Sequence, residues 1–224
     1  MSNSKFSKVQ GLKWTPWIGN DYFTIPQENR LLIIGESHYH ERSEDSSNLI
    51  NDPNFTIQVI EEMAIDRCYY QTKLFQNLHK ALFRNDIFNS GDFWKLVSFY
   101  NFIQKPMVTN EERPSYEDFY NSWSTCFEVI SILQPTTCLF LGTTAANSFI
   151  HAVRNTKFKH EEIMFETAIG NTYPRISKFI CKNDFSVELI FIRHCSKMFS
   201  WNKWNIYLMQ KMGENIGWLE NYPK

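Results

Sequence analysis

Short runs of apolar residues, each ending at a glycine or a polar residue, recur along the 224-residue chain. Residues 30–35 (Arg-Leu-Leu-Ile-Ile-Gly) form a continuous apolar run, which is typical of a central strand buried on both faces. Residues 137–142 repeat this strand-then-glycine pattern, residues 97–103 are β-like in composition, and residues 186–192 alternate into a further strand. The pattern therefore predicts four strands, one in each of these segments.

Apolar residues at helical spacing separate some of these runs. Ser115 has the character of an N-cap, because the acidic residues Glu117 and Asp118 follow in the first turn. The apolar positions that follow recur with a helical period and predict a buried face: Phe119, Trp123, Phe127, Ile130 and Leu133. We expect this amphipathic helix to end before Pro135.

Three further segments favour helices. Residues 56–83 carry mixed helical spacing, residues 143–153 are rich in small residues, and residues 202–212 form a last helix with Gly213 as its stop. Strands that alternate with helices predict an α/β fold, as a three-layer α/β/α sandwich with a mainly parallel central sheet. Since no long Pro- or Gly-rich linker interrupts the chain, we expect residues 1–224 to form a single domain.

The cysteines are widely spaced and form no C-x-x-C pair, which favours buried thiols over a metal or cluster site. They are Cys68, Cys126, Cys138, Cys181 and Cys195. The chain has no apolar leader and no apolar run long enough to span a membrane. We therefore expect a cytoplasmic protein in a reducing compartment, without a membrane partner.

The formal net charge of −1 offers no overall excess of basic residues for binding phosphates. Contact with nucleic acid would have to come from a local patch. The candidates are Lys5, Lys8 and Lys13 near the start, and Arg193, Lys197 and Lys203 near the end. The aromatic fraction of 16% is high and leaves rings available for stacking on a base or another ligand.

Polar residues directly follow three of the predicted strands. Residues 35–40 (Gly-Glu-Ser-His-Tyr-His) follow the first strand, Asn101 the second, and residues 193–196 (Arg-His-Cys-Ser) the last. Because ligands of open α/β sheets bind at the carboxyl ends of strands, these residues are predicted to form one site. Taken alone, Glu36 also fits a turn cap, and His194 a structural histidine at a strand end.

These segments resemble, in order, the motifs of the uracil-DNA glycosylase superfamily. Residues 35–40 look like its G-Q-D-P-Y-H water-activating loop and like the G-E-A-P-G loop of its iron–sulfur branch. Residues 99–101 (Phe-Tyr-Asn) resemble its base-reading strand end, and residues 193–196 resemble its H-P-S loop. Between them, residues 112–117 (Glu-Arg-Pro-Ser-Tyr-Glu) and 133–145 resemble the family's R-P, helix, Pro, strand, Leu-Gly and Ala sequence.

The resemblance implies a uracil-DNA glycosylase-like fold and an enzyme that hydrolyses the N-glycosidic bond of a base flipped out of DNA. At the matching positions, Glu36 would activate water and His194 would stabilise the leaving base. The base would be bound by Gly35, Ser37, Tyr39 and Asn101, and the DNA backbone by Ser196, Lys197 and Lys203. The implied protein is a monomer that binds DNA and acts in base excision during DNA repair.

Several positions depart from the family's pattern. Ser37 stands where one branch has its Asp, and His38 and Cys195 replace prolines. The cysteines that hold the cluster of the iron–sulfur branch have no counterpart, so we expect no cluster, no other metal and no cofactor. Because the loop departs from the uracil-specific pattern, modified bases are also expected as substrates, as in glycosylases resembling this family that act in antiviral defence against phage DNA.

Other classes of function stay open. A superfamily member that binds nucleic acid or a nucleotide without catalysis fits the near-neutral charge and the missing Asp. A metal-dependent hydrolase fits the pair His38 and His40. Glu41 and His194 are candidates for a further ligand, but the sequence does not place the third ligand. A serine hydrolase that uses Ser37 ranks lower, because the G-x-S-x-G elbow is absent.

Overall fold

A computed structural model gives the bounds of the helices and strands for most of the chain. The residues that it describes are 3–39, 50–67, 73–85, 90–107, 112–181, 185–196 and 198–222. The strands are β1 (Trp17–Ile18), β2 (Leu31–Gly35), β3 (Ser98–Asn101), β4 (Thr137–Leu141), β5 (Lys159–His160), β6 (Met164–Phe165), β7 (Arg175–Ile180) and β8 (Ser186–Ile192). The α-helices are α1 (Asn3–Phe6), α2 (Phe55–Val59), α3 (Lys73–Phe83), α4 (Ser90–Trp94), α5 (Tyr116–Leu133), α6 (Ala146–Arg154) and α7 (Trp201–Glu220). A 3-10 turn at Gln27–Asn29 precedes β2, and a π-helical turn at Ile60–Ile65 follows α2.

The strands belong to one mixed sheet in the order β1-β3-β2-β4-β8-β7-β5, with β6 also paired to β7. The four central neighbours, β3, β2, β4 and β8, are parallel to one another. Strand β1 is antiparallel to β3 at one side, and β7, β5 and β6 add antiparallel pairs at the other. The predicted α/β class is therefore confirmed, whereas the sheet expected to be mainly parallel is mixed.

The antiparallel side of the sheet has a simple cause in the chain connectivity. Parallel neighbours need a crossover connection of a dozen or more residues. Strands β7 and β8 are separated only by residues 181–185, so they pair as a hairpin, with Ile180 opposite Ser186 and Arg175 opposite Phe191. The hairpin adds an antiparallel flank to a parallel centre.

The side chains of the central strands alternate between two buried faces. In β2, Leu31 and Ile33 belong to one hydrophobic cluster, and Leu32 and Ile34 belong to another. Residues of α5 and α6 pack in the cluster of Leu32, and residues of α3, α4 and α7 pack in the cluster of Leu31. Because both faces of β2 are covered, all four side chains are fully buried, which accounts for the continuous apolar run in the sequence.

Helix α5 begins and ends as its sequence predicts. The Ser115 hydroxyl accepts a hydrogen bond from Asp118 N at 3.1 Å, and the Asp118 carboxylate accepts one from Ser115 N at 2.8 Å. This reciprocal pair is a capping box. At the other end, Gln134 adopts a left-handed conformation with φ 52° just before Pro135. The predicted amphipathic helix is confirmed.

Helix α7 has a break where the sequence predicts its end, at Met212 directly before Gly213, and a second helical segment follows the break. The helix continues to Glu220, with a local break at Met212 (φ −138°, ψ 27°). Ile216 and Leu219 are buried in the same cluster as the first half of the helix. Burial of this second apolar turn outweighs the weak helix propensity of one glycine, which costs about 1 kcal/mol.

Among the helices in the described ranges, none combines the length and the apolar character that crossing a bilayer requires.

Candidate functional site

Four polar or glycine positions meet at one edge of the sheet. Asn101 ends β3, and the register places it opposite Gly35, so Glu36 follows directly beside it. Strand β4 is the other neighbour of β2 and leads to Gly142, while β8 is next in order and leads to His194. The structure therefore brings the exits of four adjacent parallel strands together, as predicted for a ligand site.

Glu36 lines a small cavity on the face of the sheet covered by α5 and α6. The cavity measures about 10 Å³, which is room for about one water molecule. Its other lining residues are Ile34, Gly35, Phe102, Phe119, Phe140, Leu141, Gly142, Thr144 and Ala145. A Cβ atom at Gly142 would lie 3.6 Å from Glu36 Oε2, so the carboxylate packs directly against this turn. The cavity is a partly open pocket with three aromatic rings and one carboxylate in its lining.

The Glu36 carboxylate is poorly solvated and incompletely paired. Its side chain is 12% exposed, and Oε1 accepts no hydrogen bond from the part of the chain that the structure describes. Among the residues that the structure describes, the cation paired with it is Arg113, whose Nη1 lies 3.6 Å from Oε1, within ion-pair range but beyond hydrogen-bond distance. Burial raises the pKa of Glu36 above its ordinary value, and the Arg113 charge partly opposes that rise. One oxygen of the carboxylate is thus left to accept a proton or a hydrogen bond.

Arg113 connects Glu36 to Tyr39. The same Nη1 atom donates a hydrogen bond to the Tyr39 hydroxyl at 3.1 Å. Burial and the nearby Glu36 carboxylate raise the pKa of Tyr39, while Arg113 lowers it. The phenol therefore stays neutral and half-exposed at the mouth of the site. Arg113 appeared in the sequence only as part of the Arg-Pro match, and the structure shows that it contacts both candidate residues.

His194 is held as a neutral ring with a defined tautomer. Its Nδ1 lies 2.7 Å from the Ser196 hydroxyl and 3.3 Å from Ser196 N. A backbone N–H can only donate, so Nδ1 accepts and the proton of the neutral ring lies on Nε2. Burial, and then the positive charge of Arg113, lower the pKa of His194 to about 4. His194 Nε2 is therefore a hydrogen-bond donor at neutral pH.

The loop that carries His194 is anchored from the opposite face of the sheet. Asn77 in α3 donates its side-chain amide to Cys195 O at 2.6 Å. The Cys195 side chain is fully buried, and burial raises the pKa of its thiol. Cys195, which stands where the resembled family has a proline, is a packing residue here. Asn77 had no signal in the sequence, because it lies in a helix far from the loop along the chain.

Asn101 lies beside Glu36 in the sheet but outside the cavity. A Cβ atom at Gly35 would overlap Asn101 Oδ1, and it would come within 2.8 Å of Phe99 Cζ. Phe99 belongs to the cluster on the face opposite the cavity, so the Asn101 amide lies over Gly35 on that face. Gly35 is therefore required for the close approach of Asn101. The structure does not bring Asn101 and Glu36 together in one pocket.

The residues predicted to hold the DNA backbone have different surroundings. The Ser196 hydroxyl contacts His194, and Lys203 is an exposed residue in the first turn of α7. Lys197 lies outside the described residues. Ser37, predicted to bind the base, has a buried hydroxyl without a hydrogen-bond partner among the described residues. Their contacts with a nucleic acid remain predictions.

The lysines near the start of the chain have two different locations. Lys5 and Lys8 line a groove of about 340 Å³ together with Glu128 and Cys181, away from the residues that follow the central strands. Lys13 lies closer to the end of β3, because its backbone N donates to Gln104 Oε1 at 2.9 Å and Gln104 Nε2 donates to Asn101 O at 2.6 Å. Its ammonium group donates to Asn51 Oδ1 at 3.2 Å.

His38 is packed beneath the site and does not line it. Its Nε2 lies 2.8 Å from the Thr56 hydroxyl, and its ring contacts Trp14 and Phe55 at centroid distances of 4.8 and 4.6 Å. Burial lowers the pKa of His38 to about 3. Its proposed metal partners His40 and Glu41 lie outside the described residues, and the described ranges contain no group of three or more metal-binding side chains. His38 is therefore a packing residue between Trp14 and Phe55.

Comparison with known proteins adds no relative from which a role could be taken. No protein-family model matches the chain. A search of curated proteins likewise finds no similar sequence. Inference about function therefore depends on the geometry of the site and on the motif resemblance.

Proposed function

We propose that this chain is a DNA glycosylase with the three-layer fold of the uracil-DNA glycosylase superfamily. It hydrolyses the N-glycosidic bond of a uracil-like or modified base, in base repair or in defence against modified phage DNA. The observation that carries the proposal is the buried Glu36 carboxylate, which lies at the strand exits with one oxygen unpaired and with His194 two strands away. The order of the four motifs along the chain supports the same assignment.

Glu36 supplies the charge that the sugar needs. Breaking an N-glycosidic bond develops positive charge on the sugar, which an adjacent carboxylate stabilises. The cavity beside Glu36 has room for about one water molecule, and the unpaired Oε1 is a suitable acceptor for a proton of that water. The water oxygen bonds to the sugar carbon, while the electron pair of the broken bond leaves with the base.

His194 supplies the hydrogen bond that the leaving base needs. The departing base carries the negative charge, and a donor near its oxygen lowers the energy of that state. The neutral ring with its proton on Nε2 provides this donor without bringing a positive charge beside Arg113. Asn101 lies outside the cavity, over Gly35 on the other face of the sheet, so its amide would discriminate between bases only if the base extends past Gly35 to that face.

The test is alkali-revealed strand cleavage on DNA that carries uracil, hypoxanthine, hydroxymethylcytosine or glucosylated cytosine, in single- and double-stranded form. The test variant is Glu36→Gln, for which we expect turnover to fall by about 10²-fold or more. The matched control is Glu188→Gln, because Glu188 on β8 is also a half-buried carboxylate whose pKa is raised by burial but belongs to the opposite end of that strand.

The outcomes separate the functional classes. Abasic sites that form with one base, vanish in Glu36→Gln and persist in Glu188→Gln establish the glycosylase and name its base. If DNA binds with every base intact, the chain is a binding protein without catalysis. Excision that is abolished by chelation and restored by a divalent ion assigns the activity to a metal-dependent hydrolase instead.

A further inference from the structure

The β6–β7 hairpin is fastened to the wall of the candidate site. Arg175, the first residue of β7, donates from Nη1 to Thr143 O at 2.7 Å and to Asn147 Oδ1 at 2.6 Å. Thr143 lies between Gly142 and Thr144, which both line the cavity of Glu36. The base of the hairpin and the cavity therefore share one stretch of backbone.

The tip of the hairpin is held next to the His194 loop. A tight turn at Gly170, with φ 61°, is closed by mutual backbone hydrogen bonds between Ile169 and Thr172. Arg193, which precedes His194, donates from Nη1 to the Thr172 hydroxyl at 2.9 Å. The hairpin thus spans from the cavity wall to Arg193, the residue directly before His194.

Two aromatic rings of this hairpin are left on the surface. Phe165 is 64% exposed and Tyr173 is 58% exposed, although exposed large rings are rare in a chain with so many buried ones. The Arg175 guanidinium covers one side of the Phe165 ring at 4.9 Å, so the opposite side is open. The hydrogen bond from Glu166 N to Pro174 O continues the pairing, and strand alternation then places Tyr173 on the same face as Arg175.

The acidic residue of the hairpin is turned to the other side. Glu166 forms an ion pair with Lys211 of α7 at 2.7 Å, which neutralises its charge. The aromatic face carries the guanidinium of Arg175, while Arg193 contacts the hairpin at Thr172, next to its tip. Open rings beside positive groups are suited to unpaired bases and their phosphates.

We propose that the β6–β7 hairpin is a platform for single-stranded DNA, on which Phe165 and Tyr173 stack with bases that flank the nucleotide held at Glu36. The net charge of −1 lacks the excess of cations by which duplex binders neutralise phosphates. Stacking on exposed rings supplies affinity for unpaired bases without that excess. This inference deepens the proposed function, on which it rests, by naming the form of its DNA substrate.

The test is fluorescence anisotropy with a labelled oligothymidine of roughly 15 nucleotides, compared with a duplex of the same length. The wild type and the hairpin variants are compared directly, because oligothymidine contains no uracil or modified base to be excised. We expect the single strand to bind more tightly than the duplex, and Phe165→Ala and Tyr173→Ala each to weaken single-strand binding about tenfold. Phe165→Trp keeps a stacking ring and is expected to retain the affinity.

The matched control is Phe23→Ala. Phe23 is 46% exposed and lies against Arg30 at 5.5 Å. This pair precedes the amino end of β2, whereas the candidate site follows its carboxyl end. Removing Phe23 should leave DNA binding unchanged. If the Phe23 and Phe165 variants weaken binding equally, the effect reflects a general loss of stability or of nonspecific binding to exposed rings. That result would overturn the platform.

Two results separate this inference from the proposed function. If bases are excised but the hairpin variants bind single strands as the wild type does, the platform is wrong and the glycosylase stands. If the hairpin variants lose single-strand binding while no base is ever excised, the platform stands and the glycosylase is wrong. Preference for the duplex, or absence of single-strand binding in the wild type, also overturns the platform.

Discussion

Arg113 links the electrostatics of three residues in the candidate site. It is near enough to Glu36 to oppose the rise in pKa that burial causes, it hydrogen-bonds Tyr39, and its charge helps to lower the pKa of His194. Arg113 is itself largely exposed, so solvent screens these effects and their sum is modest. Arg113 therefore favours the ionised form of Glu36 and the neutral form of His194, in each case as a smaller effect than burial.

This arrangement predicts the acidic limb of the pH profile. In the proposed mechanism activity requires ionised Glu36, so we expect it to be lost as the pH falls through the raised pKa of that carboxyl. In Arg113→Met the pKa of Glu36 rises further and that of His194 also rises, and both changes move the acidic limb to higher pH. Arg113→Lys, which keeps a positive charge, should restore part of the shift. The shift is measured from the pH dependence of kcat/KM for abasic-site formation. If the acidic limbs of the wild type and Arg113→Met coincide, Arg113 does not influence the charge state of Glu36 or His194.

At this scale the sequence identified residues that follow strands but missed those that reach the site from elsewhere. Glu36 and His194 could be predicted because strand exits in parallel sheets meet at one edge. Arg113 precedes a helix, and Asn77 lies within one, so neither position marks a site in the sequence. Asn101 was predicted from the same rule, yet strand alternation directs its side chain to the opposite face from the cavity.

Among the elements, helix α5 connects the Arg113 segment to the core. Its N-terminus is fixed by the capping box of Ser115 and Asp118, two residues after Arg113. Its buried face, which includes Phe119 and Trp123, packs on the cavity and on β4. A change at the cap therefore affects both the stability of the helix and the placement of Arg113.

We expect Ser115→Ala to lower the free energy of unfolding by about 1 kcal/mol, because orphan N–H groups at the helix start lose their acceptor. The control is Ser124→Ala on the exposed side of the same helix, where alanine is the better helix former and stability should hold or rise slightly. Urea unfolding monitored by circular dichroism measures both variants. A Ser115→Ala protein as stable as the wild type would show that the cap is not needed.

Elements with strong local signals were predictable, and those defined by pairing were not. Strands β2, β4 and β8 and helix α5 were predicted because apolar runs, periodicity and a cap mark them within a few residues. Strands β1, β5 and β6 have two residues each, and their existence depends on partners distant in sequence. The break of α7 at Met212 was predicted from Gly213, whereas the helical segment beyond it was not, because that segment depends on tertiary burial of Ile216 and Leu219.

At the scale of the whole molecule, two buried histidines make stability depend on pH. His38 has a pKa of about 3 in the folded protein, against an ordinary value of about 6.5 when exposed. Between these values the unfolded chain binds a proton that the folded chain does not, so stability falls as the pH decreases through this window. His194, with a pKa of about 4, contributes in the same direction.

We predict that the free energy of unfolding decreases by roughly a few kcal/mol between pH 6.5 and pH 4, and that the decrease is smaller in His38→Gln. Glutamine keeps a polar group toward Thr56 but cannot take up a proton in this range. The control is His151→Gln, since His151 is exposed on α6. Urea denaturation across the pH range measures the slope of stability against pH, and equal slopes in the wild type and His38→Gln would contradict the prediction.

The order of the strands also has a consequence for how the protein is made on the ribosome. The first long strand, β2, lies between β3 and β4 in the sheet, and both of these are synthesised much later. Until Thr137–Leu141 has left the exit tunnel, the apolar segment Leu31–Gly35 cannot be covered on both sides by its native partners. Nascent chains of this protein therefore carry an incompletely paired, aggregation-prone strand through nearly half of translation, which is the kind of segment that chaperones protect.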